Sequence, residues 1–437
     1  MKGTNLCSVL FVVSATAFRV PSLQQQRPEL SKRGVSTEAS QSDIRINPLI
    51  ASIKVSKTVE IFSLVKQMEA EGIEVTSLCV GEPDFLPPQA VLDAAIEAVQ
   101  NGLTKYTAVT GTAELRNAIA ADLKRRKGIQ YNPQTDILVG NGAKQCVFQG
   151  ILATCGPGDT VIVPAPFWPS YPEMVALAGA QTAIVETKAQ DGFLLTPQDL
   201  RATLEAHPSA KLLIFCNPSN PTGGVHDQKR CQELAAVLTD FPQVAILADE
   251  IYERLVYTEN GKCPSFASMP GMFDRTMTVN GFSKAYAMTG MRLGYLAAPT
   301  KLAKACTTIQ SQLTSCAGSI SQAAGVAALT KVKDDELDRN VEIMREKRDF
   351  VLTRLAAMKN VHVAVPPNGA FYVLPDVHTY FGGDDTQLCL ELLKCKKLAI
   401  VPGSSFGAPG TVRLSYATSM EELDIAMTKL QSFLEEQ

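Results

Sequence analysis

The sequence is poor in the residues that build metal sites and disulfide frameworks. It has only 4 histidines, and its 11 cysteines are an odd number spread along the chain without a Cys-x-x-Cys pair. Zinc sites and disulfide-stapled folds need such clusters. We therefore expect no metal site, and we interpret the cysteines in apolar runs, such as Cys79, Cys216 and Cys231, as small core residues.

Strong net charge and long apolar runs are also missing. The 41 basic and 44 acidic residues give a formal net charge of −3. A nucleic-acid-binding protein needs a basic face, and a helix that crosses a bilayer needs about 20 successive apolar residues. Because the net charge is close to zero, we expect no nucleic acid as a partner. Because no apolar run reaches that length, we expect no membrane as a partner.

The composition is typical of a large folded protein. The chain has 437 residues, of which 46% are hydrophobic and 19% are charged. Disordered chains have few apolar residues and a large net charge. A single core stops growing at about 250–300 residues, so the length predicts about two domains.

Residues 1–45 differ from the rest and are predicted to be a bipartite targeting presequence. Lys2 precedes an apolar stretch and then the small residues 14–17, which is the layout of a secretory signal with its cleavage site. Residues 18–42 are rich in Ser, Gln and Arg, like a transit peptide. The tandem arrangement resembles the presequences of proteins imported into secondary plastids, so we expect a plastid location. Mitochondrial, cytosolic and secreted locations remain alternatives, although many free thiols disfavour secretion.

From about residue 46 the chain alternates helical and strand-like segments. Residues 91–100 and 113–127 have helical periodicity. Short apolar runs predict strands at 137–139, 160–163, 212–216, 244–248, 277–279 and 293–297. This alternation predicts an α/β fold with a largely parallel sheet. The last of these runs follows its predecessor closely, so we expect an antiparallel edge strand there.

The C-terminal part has a different pattern. A long charged helix is predicted over residues 331–358, followed by short strands near 361–365, 370–374 and 412–416. Helical segments lie between these strands. The pattern predicts a second, smaller α+β domain, with the long helix joining it to the first domain.

Polar residues follow the predicted strands where each strand ends. In open α/β sheets ligands bind at these carboxyl ends. Five successive ends supply small residues that open a helix, a flat aromatic ring, an amide, a carboxylate with a phenol, and a lysine with an arginine. They are Gly142, Ala143 and Lys144; Trp168; Asn220; Asp249 and Tyr252; and Lys284 and Arg292. A helix start binds phosphate, so the set suits a phosphorylated aromatic aldehyde.

These residues lie in motifs that resemble the fold-type I, class I pyridoxal-phosphate aminotransferases. The motifs occur in the family's order from about residue 47 to the C-terminus. They are GEPDF at 81–85, Tyr106, NPSNPTG at 217–223, DEIY at 249–252, SKAYAMTGMRLG at 283–294 and VRLSYATS at 412–419. Within the family, the prokaryotic-type aspartate aminotransferases and the plastid enzymes that also use prephenate are the most similar.

The resemblance implies a domain division and a set of cofactor contacts. It implies an N-terminal arm with part of the small domain at 46–90, a large cofactor-binding domain at 91–330 and a small domain at 331–437. It implies that Lys284 binds the pyridoxal 5′-phosphate aldehyde covalently and moves the substrate proton. The other implied cofactor residues are Asp249 at the ring nitrogen, Tyr252 and Asn220 at the ring oxygen, Trp168 on the ring face, Arg292, Gly142 and Ala143 at the phosphate, and Ser283 beside Lys284. Together with Lys284, Asp249 and Tyr252 are predicted to be catalytic.

The resemblance also implies how substrates bind. Arg413 is expected to bind the substrate α-carboxylate and Lys144 a distal carboxylate. Gly81 is expected to let the substrate approach the backbone, with Trp168 and Asn220 beside it. Tyr106 is expected to reach the phosphate of a neighbouring subunit, which implies a homodimer with shared active sites.

The implied activity is transamination between an amino acid and a 2-oxo acid. Aspartate, glutamate, 2-oxoglutarate and oxaloacetate are the expected substrates, with prephenate as a further acceptor. Val55 stands where the family's arm commonly has proline, and Met291 where it commonly has tryptophan. Two kinds of alternative remain open: an enzyme of the same superfamily for alanine, kynurenine, aromatic amino acids or aminocyclopropane-carboxylate synthesis, and a non-catalytic sensor with this fold.

Overall fold

A computed structural model describes residues 45–53, 57–258 and 261–437 of the chain. The predicted presequence, apart from Arg45, lies outside these residues, and so does Val55 in the arm. Residues 47–437 form one compact unit, so the predicted domain boundaries at 90 and 330 stay predictions.

Strands occur where short runs of β-branched and other apolar residues meet turn-forming residues. Their bounds are β1 Thr76–Ser77, β2 Ile137–Gly140, β3 Thr160–Ala165, β4 Gln181–Glu186, β5 Ala210–Cys216, β6 Ala245–Asp249, β7 Thr276–Gly281, β8 Gly294–Ala297, β9 Tyr372–Val373, β10 Leu398–Ala399, β11 Val401–Pro402 and β12 Val412–Ser415. The predicted runs from 137 to 297 all become strands. Strand β4 was not predicted, because its residues alternate between exposed and buried positions rather than forming an apolar run.

Seven strands form the main sheet in the order β2-β8-β7-β6-β5-β3-β4. The pairs within β7-β6-β5-β3-β4 are all parallel, which confirms the predicted sheet. Strand β8 is antiparallel to β7, as expected, but it is not an edge strand, since it also pairs with β2. All four β8 residues are buried. In the interior of the sheet the strand has a hydrogen-bonded neighbour on each side, so no backbone edge is left open.

The helices cover the sheet faces and build the second part of the fold. Their bounds are α1 Pro48–Ser52, α2 Lys57–Ala70, α3 Gln89–Gln100, α4 Ala113–Lys127, α5 Ala143–Thr154, α6 Ser170–Leu177, α7 Pro197–Ala206, α8 Gln228–Thr239, α9 Thr300–Leu313, α10 Ser319–Thr330, α11 Asp334–Ala356, α12 Asp385–Lys396 and α13 Met420–Glu435. Helix α4 shows why the bounds fall where they do. The Thr112 side chain accepts from the Leu115 N–H, and Gly128 closes the helix in the left-handed conformation.

A second core lies among helices α11, α12 and α13 and the short strands β9, β11 and β12. These three strands form an antiparallel sheet in the order β11-β12-β9. The core includes Met344, Leu355 and Leu430, together with Leu78 and Tyr252 from earlier in the chain. The predicted strand at 361–365 is wrong, because only an isolated bridge between His362 and Asp376 forms there.

The described residues contain no candidate membrane span and no candidate metal cluster. Among them, no helix combines the length and apolarity that a membrane span requires. The same part of the chain contains no group of three or more His, Cys, Asp or Glu side chains arranged to hold a metal ion.

Candidate active site

A cavity of about 430 Å³ lies at the carboxyl ends of the parallel strands. Its lining joins residues from the main sheet with residues from β12 and from the loop after β1. Eleven of the predicted site residues line it: Gly81, Ala143, Lys144, Trp168, Asn220, Asp249, Tyr252, Ser283, Lys284, Arg292 and Arg413. The sheet topology therefore brings together side chains that are separated by more than 300 positions in sequence.

Lys284 follows β7 and reaches across the cavity to the loop after β1. Its Nζ donates to the carbonyl oxygen of Gly81 at 2.5 Å. Burial lowers the pKa of Lys284 to about 8, although the negative charge of Glu82 opposes the shift. An amine with such a pKa is available in its neutral, nucleophilic form near neutral pH.

Asp249 ends β6 and is buried, with 5% of its surface exposed. Its Oδ2 accepts from the Tyr171 hydroxyl at 2.6 Å, and its Oδ1 accepts from the Ile251 N–H at 3.3 Å. Burial raises the pKa of the Asp249 carboxyl. Among the described residues it forms no ion pair, so this carboxylate suits a ligand that brings a positive charge.

Sequence reasoning missed Tyr171, which lies in the first turn of α6. The residue sits three positions after Trp168, and the two rings pack edge to face with centroids 5.3 Å apart. A spacing of three puts residues on one side of a helical turn. That spacing was the available signal for Tyr171.

One end of the cavity has the properties of an anion site. Gly142 precedes α5 with a φ of 85°, and a Cβ there would lie 2.4 Å from Nη2 of Arg292. The Arg292 Nη1 donates to the Thr289 carbonyl oxygen at 3.0 Å. The first N–H groups of a helix have no partner within the helix, and its dipole favours negative charge. The start of α5 and the guanidinium therefore form a seat that suits a phosphate group.

The opposite wall holds a second guanidinium, that of Arg413 on β12. It is 3% exposed, and it donates to Asn220 Oδ1 at 3.2 Å and to the Cys79 carbonyl oxygen at 2.5 Å. The rings of Tyr372 and Phe406 lie 4.5 Å and 4.8 Å from its central carbon. The Arg413 Nε is buried and has no hydrogen-bond partner among the described residues. Such a held, incompletely paired cation suits a carboxylate ligand.

Tyr372 is a cavity residue that sequence reasoning did not identify. Its hydroxyl lies 2.8 Å from the hydroxyl of Tyr252. A Cβ at Gly81 would lie 2.0 Å from that same Tyr372 oxygen, so only glycine fits at position 81. The apolar run around Tyr372 has the pattern of an ordinary buried strand. Only its contacts with residues from other segments show that Tyr372 belongs to the site.

At the mouth of the cavity Lys144 and Trp168 lie together. The Lys144 Nζ is 5.1 Å from the centre of the Trp168 ring. Burial lowers the pKa of Lys144, and the positive charge of Arg292 lowers it further. An ammonium group held over an aromatic face at the mouth can contact a negative charge at the far end of a ligand.

The loop at 81–85 is fixed from behind. Asp84 forms an ion pair with Lys347 of α11 at 2.6 Å. Lys347 is 5% exposed, so the pair is shielded on the helix side. The pair ties the Gly81 carbonyl, which accepts from Lys284, to the long helix.

Two predicted site residues are placed differently. Gly142 is absent from the lining but lies directly behind Arg292. Tyr106 is 89% exposed and does not line the cavity of its own chain. A single copy of the chain therefore does not bring Tyr106 to this site.

Together these groups define a class of protein. A lysine amine of lowered pKa, a buried carboxylate and two guanidinium groups around one cavity are able to bind an anionic carbonyl compound, and such a set is typical of an enzyme. Residues 73–430 match the family model described as "Aminotransferase class I and II".

Curated relatives and solved structures agree with this match. The chain is 46% identical over 406 residues to an aspartate aminotransferase of Pinus pinaster, covering 90% of this chain and 82% of that one. It is 41% identical to the bifunctional aspartate aminotransferase and glutamate/aspartate-prephenate aminotransferase of Petunia hybrida, covering 98% and 92%. The crystal structure of the Rhizobium meliloti aspartate aminotransferase matches with a TM-score of 0.85 at 38% identity, covering 90% and 99%.

The chain therefore belongs to the class I and II aminotransferase family, and the protein is an aminotransferase. Its architecture, a large mainly parallel sheet with a smaller α+β part, is the fold-type I architecture that the motifs predicted.

Proposed function

We propose that the protein transfers the amino group of aspartate to 2-oxoglutarate with pyridoxal 5′-phosphate as cofactor, and that prephenate is a further acceptor. The observation that carries the proposal is the pairing of two cationic ends in one cavity, Arg292 at the start of α5 and Arg413 on β12, with the Lys284 amine in the same cavity. The names of the relatives from Pinus pinaster and Petunia hybrida support the choice of substrates.

The residues fit this cofactor. The N-terminus of α5 and the Arg292 guanidinium, which packs where a Cβ at Gly142 would lie, suit its phosphate, and the buried Asp249 carboxylate suits its ring nitrogen. Asn220 and Tyr252 would bind its ring oxygen, and Trp168 its ring face. When bound, pyridoxal 5′-phosphate supplies an aldehyde that takes up the amino group and a ring that accepts electrons.

The side chains then have separate tasks in the reaction. Arg413, held by Asn220 and Cys79, orients the α-carboxylate of the amino acid. The neutral Lys284 Nζ removes the proton from the amino acid Cα and later returns a proton to the product. Its position beside the Gly81 carbonyl keeps the amine oriented when no substrate is present.

Lys144 is proposed to choose dicarboxylic substrates. Its ammonium group lines the same cavity as Arg413 and lies over the Trp168 ring, where it would neutralise the second carboxylate of aspartate. A Lys144→Met variant should then lose activity with aspartate and keep activity with alanine. Equal losses with both donors would rule out this role.

The substrate proposal is tested by steady-state kinetics of the purified protein. Aspartate is offered as donor with 2-oxoglutarate, oxaloacetate, prephenate and phenylpyruvate as acceptors, and alanine and kynurenine as competing donors. The highest kcat/KM is expected with aspartate and 2-oxoglutarate. A preference for alanine or kynurenine would replace the proposal with one of the superfamily alternatives.

A homodimer with shared active sites is part of the proposal. Tyr106 is exposed and does not line the cavity of its own chain, and apolar side chains such as Leu86 and Leu103 are also exposed. A second copy could cover them and receive Tyr106 at its phosphate seat. Mixing inactive Lys284→Ala and Tyr106→Phe chains should restore activity at some sites if the sites are shared, and should restore none if each chain works alone.

The plastid location is proposed from residues 1–45 alone. A signal-like stretch followed by an acid-poor, Arg- and Ser-containing stretch supports import in two stages. A fluorescent protein fused behind residues 1–60 should enter the plastid. A cytosolic or mitochondrial signal would give the location to one of the alternatives.

A further inference from the structure

The shortest hydrogen bond between cavity residues that the proposed reaction does not use joins Tyr171 and Asp249. Tyr171 is 2% exposed, and its hydroxyl donates to Asp249 Oδ2 at 2.6 Å. Its ring is fixed by the edge-to-face contact with Trp168. The Tyr171 hydroxyl therefore donates to the Asp249 carboxylate, and the neutral Cys216 thiol is its other neighbour.

Asp249 needs this donor because few other groups favour its charge. The groups that act on it are the thiols of Cys146 and Cys216, the Lys284 amine, the Tyr171 hydroxyl and the Ile251 N–H. The two thiols are neutral, since burial raises the pKa of Cys216 to about 12 and also raises that of Cys146. Lys284 helps only while it is protonated, and its pKa is about 8. The Tyr171 hydroxyl is then the one side-chain donor that remains.

Tyr171 is a donor at every working pH. Burial raises the pKa of its phenol well above the ordinary value, and the charge of Asp249 raises it further. Hydrogen bonds from a neutral donor to a carboxylate favour the charged form of the acid.

We propose that Tyr171 is a positioning residue whose hydroxyl holds Asp249 in its charged form and in one orientation toward the cofactor ring nitrogen. The inference rests on the proposed function, because it gives Asp249 its partner in pyridoxal 5′-phosphate. It predicts that Tyr171 affects ligands that carry the ring nitrogen more than ligands that lack it.

The test compares two probes on apoprotein: pyridoxal 5′-phosphate and its 1-deaza analogue, which has a carbon in place of the ring nitrogen. Quenching of Trp168, the only tryptophan, reports the binding of each. Wild-type protein should bind pyridoxal 5′-phosphate more tightly than the analogue. In Tyr171→Phe this preference should fall about tenfold, the effect of one hydrogen bond to a charged group. With aspartate, kcat should fall by a similar factor while KM changes little.

Tyr131→Phe is the matched control. Tyr131 is 3% exposed, lies outside the cavity, and its hydroxyl is 3.4 Å from Thr278 Oγ1. This variant should keep the wild-type preference. If Tyr171→Phe also keeps it, or loses affinity equally for both probes, the inference is overturned even where the wild type proves to be an active aminotransferase.

If Tyr171→Phe does not fold, 3,5-difluorotyrosine at position 171 replaces it. The fluorinated phenol keeps the ring and is a stronger donor, so the preference for the nitrogen-containing probe should rise. An unchanged preference would again overturn the inference.

Discussion

The two sides of the segment that follows β6 treat buried charge in opposite ways. Asp249 and Tyr252 line the active-site cavity, whereas Glu253 and Arg254 line a second cavity. There they form, with Asp122, Arg126 and Lys127, what we call the rear ionic cluster. Glu253 pairs with Arg126 at 2.7 Å and with Lys127 at 2.8 Å, and Arg126 also pairs with Asp122 at 2.8 Å.

The two carboxylates respond differently to similar burial. Burial would raise the pKa of Glu253, but Lys127 and Arg126 hold it well below its ordinary value. Burial raises the pKa of Asp249, and its donors only reduce that shift. Complete compensation makes the rear ionic cluster a structural element. The cost of burying the Asp249 charge is only partly offset by its neighbours, so Asp249 can still bind a cationic ligand. The degree to which neighbouring groups offset burial therefore distinguishes functional from structural buried charges here.

The largest effect is expected at Lys284. Lys284→Ala should lower kcat by about 10⁴-fold, the upper range for a group that transfers protons. No residue of the rear ionic cluster should have a comparable effect on kcat. The measurement is a coupled assay with aspartate and 2-oxoglutarate. Near-wild-type turnover in the absence of added amines would show that another group moves the proton.

A matched pair of carboxylate-to-amide variants tests the comparison directly. Glu253→Gln should lower the free energy of unfolding by about 3–5 kcal/mol, because it leaves the buried Lys127 without its carboxylate partner and Arg126 with Asp122 alone. Asp249→Asn should leave the stability of the apoprotein nearly unchanged and lower kcat by about 10²-fold or more.

Urea unfolding and steady-state kinetics of both variants provide the measurements. If Asp249→Asn were the less stable variant and Glu253→Gln the less active one, our assignment of the two sides would be reversed.

The two sides also differ in how they should tolerate lysine for arginine. Arg413→Lys keeps the charge but loses the planar pair of donors. It should raise KM for aspartate by about 10- to 100-fold, the effect of a hydrogen bond to a charged group. Circular dichroism should show an unchanged fold. If the variant lost more free energy of unfolding than free energy of aspartate binding, Arg413 would be a structural charge like those of the rear ionic cluster.

The smallest expected effect is a pH dependence of cofactor attachment. Because the pKa of Lys284 is about 8, the neutral amine fraction in the apoprotein grows as the pH rises and levels off above that value. The attachment rate should therefore increase about tenfold from pH 7 to pH 9. Stopped-flow absorbance of apoprotein mixed with pyridoxal 5′-phosphate measures it. A rate that climbed steeply beyond pH 9 would mean an amine with the ordinary pKa.

By the same logic, Lys284 binds fewer protons in the folded apoprotein than in the unfolded chain between about pH 8 and its ordinary pKa of about 10.4. Its contribution to the free energy of unfolding should rise across this window. The difference in stability between wild type and Lys284→Ala isolates that contribution.

Sequence alone predicted the sheet and the main site residues because the end of a strand is marked by the local sequence, where an apolar run meets polar residues. Asp249, Lys284 and the start of α5 each follow an apolar run directly, and parallel strands bring such positions to one edge. Tyr171, Tyr372 and Lys347 were missed because each acts on a residue from another segment. The interior position of β8 in the sheet could not be predicted either, because it depends on pairing with β2, which is far away in the sequence.

The hydrogen bond from Arg413 to the Cys79 carbonyl spans 334 positions of the chain. During synthesis on the ribosome, the pocket wall that this bond closes cannot exist until β12 has emerged. A chain that is truncated before β12 is therefore expected to have no activity rather than reduced activity, because it lacks Arg413. Truncated products then cannot contribute to the reaction.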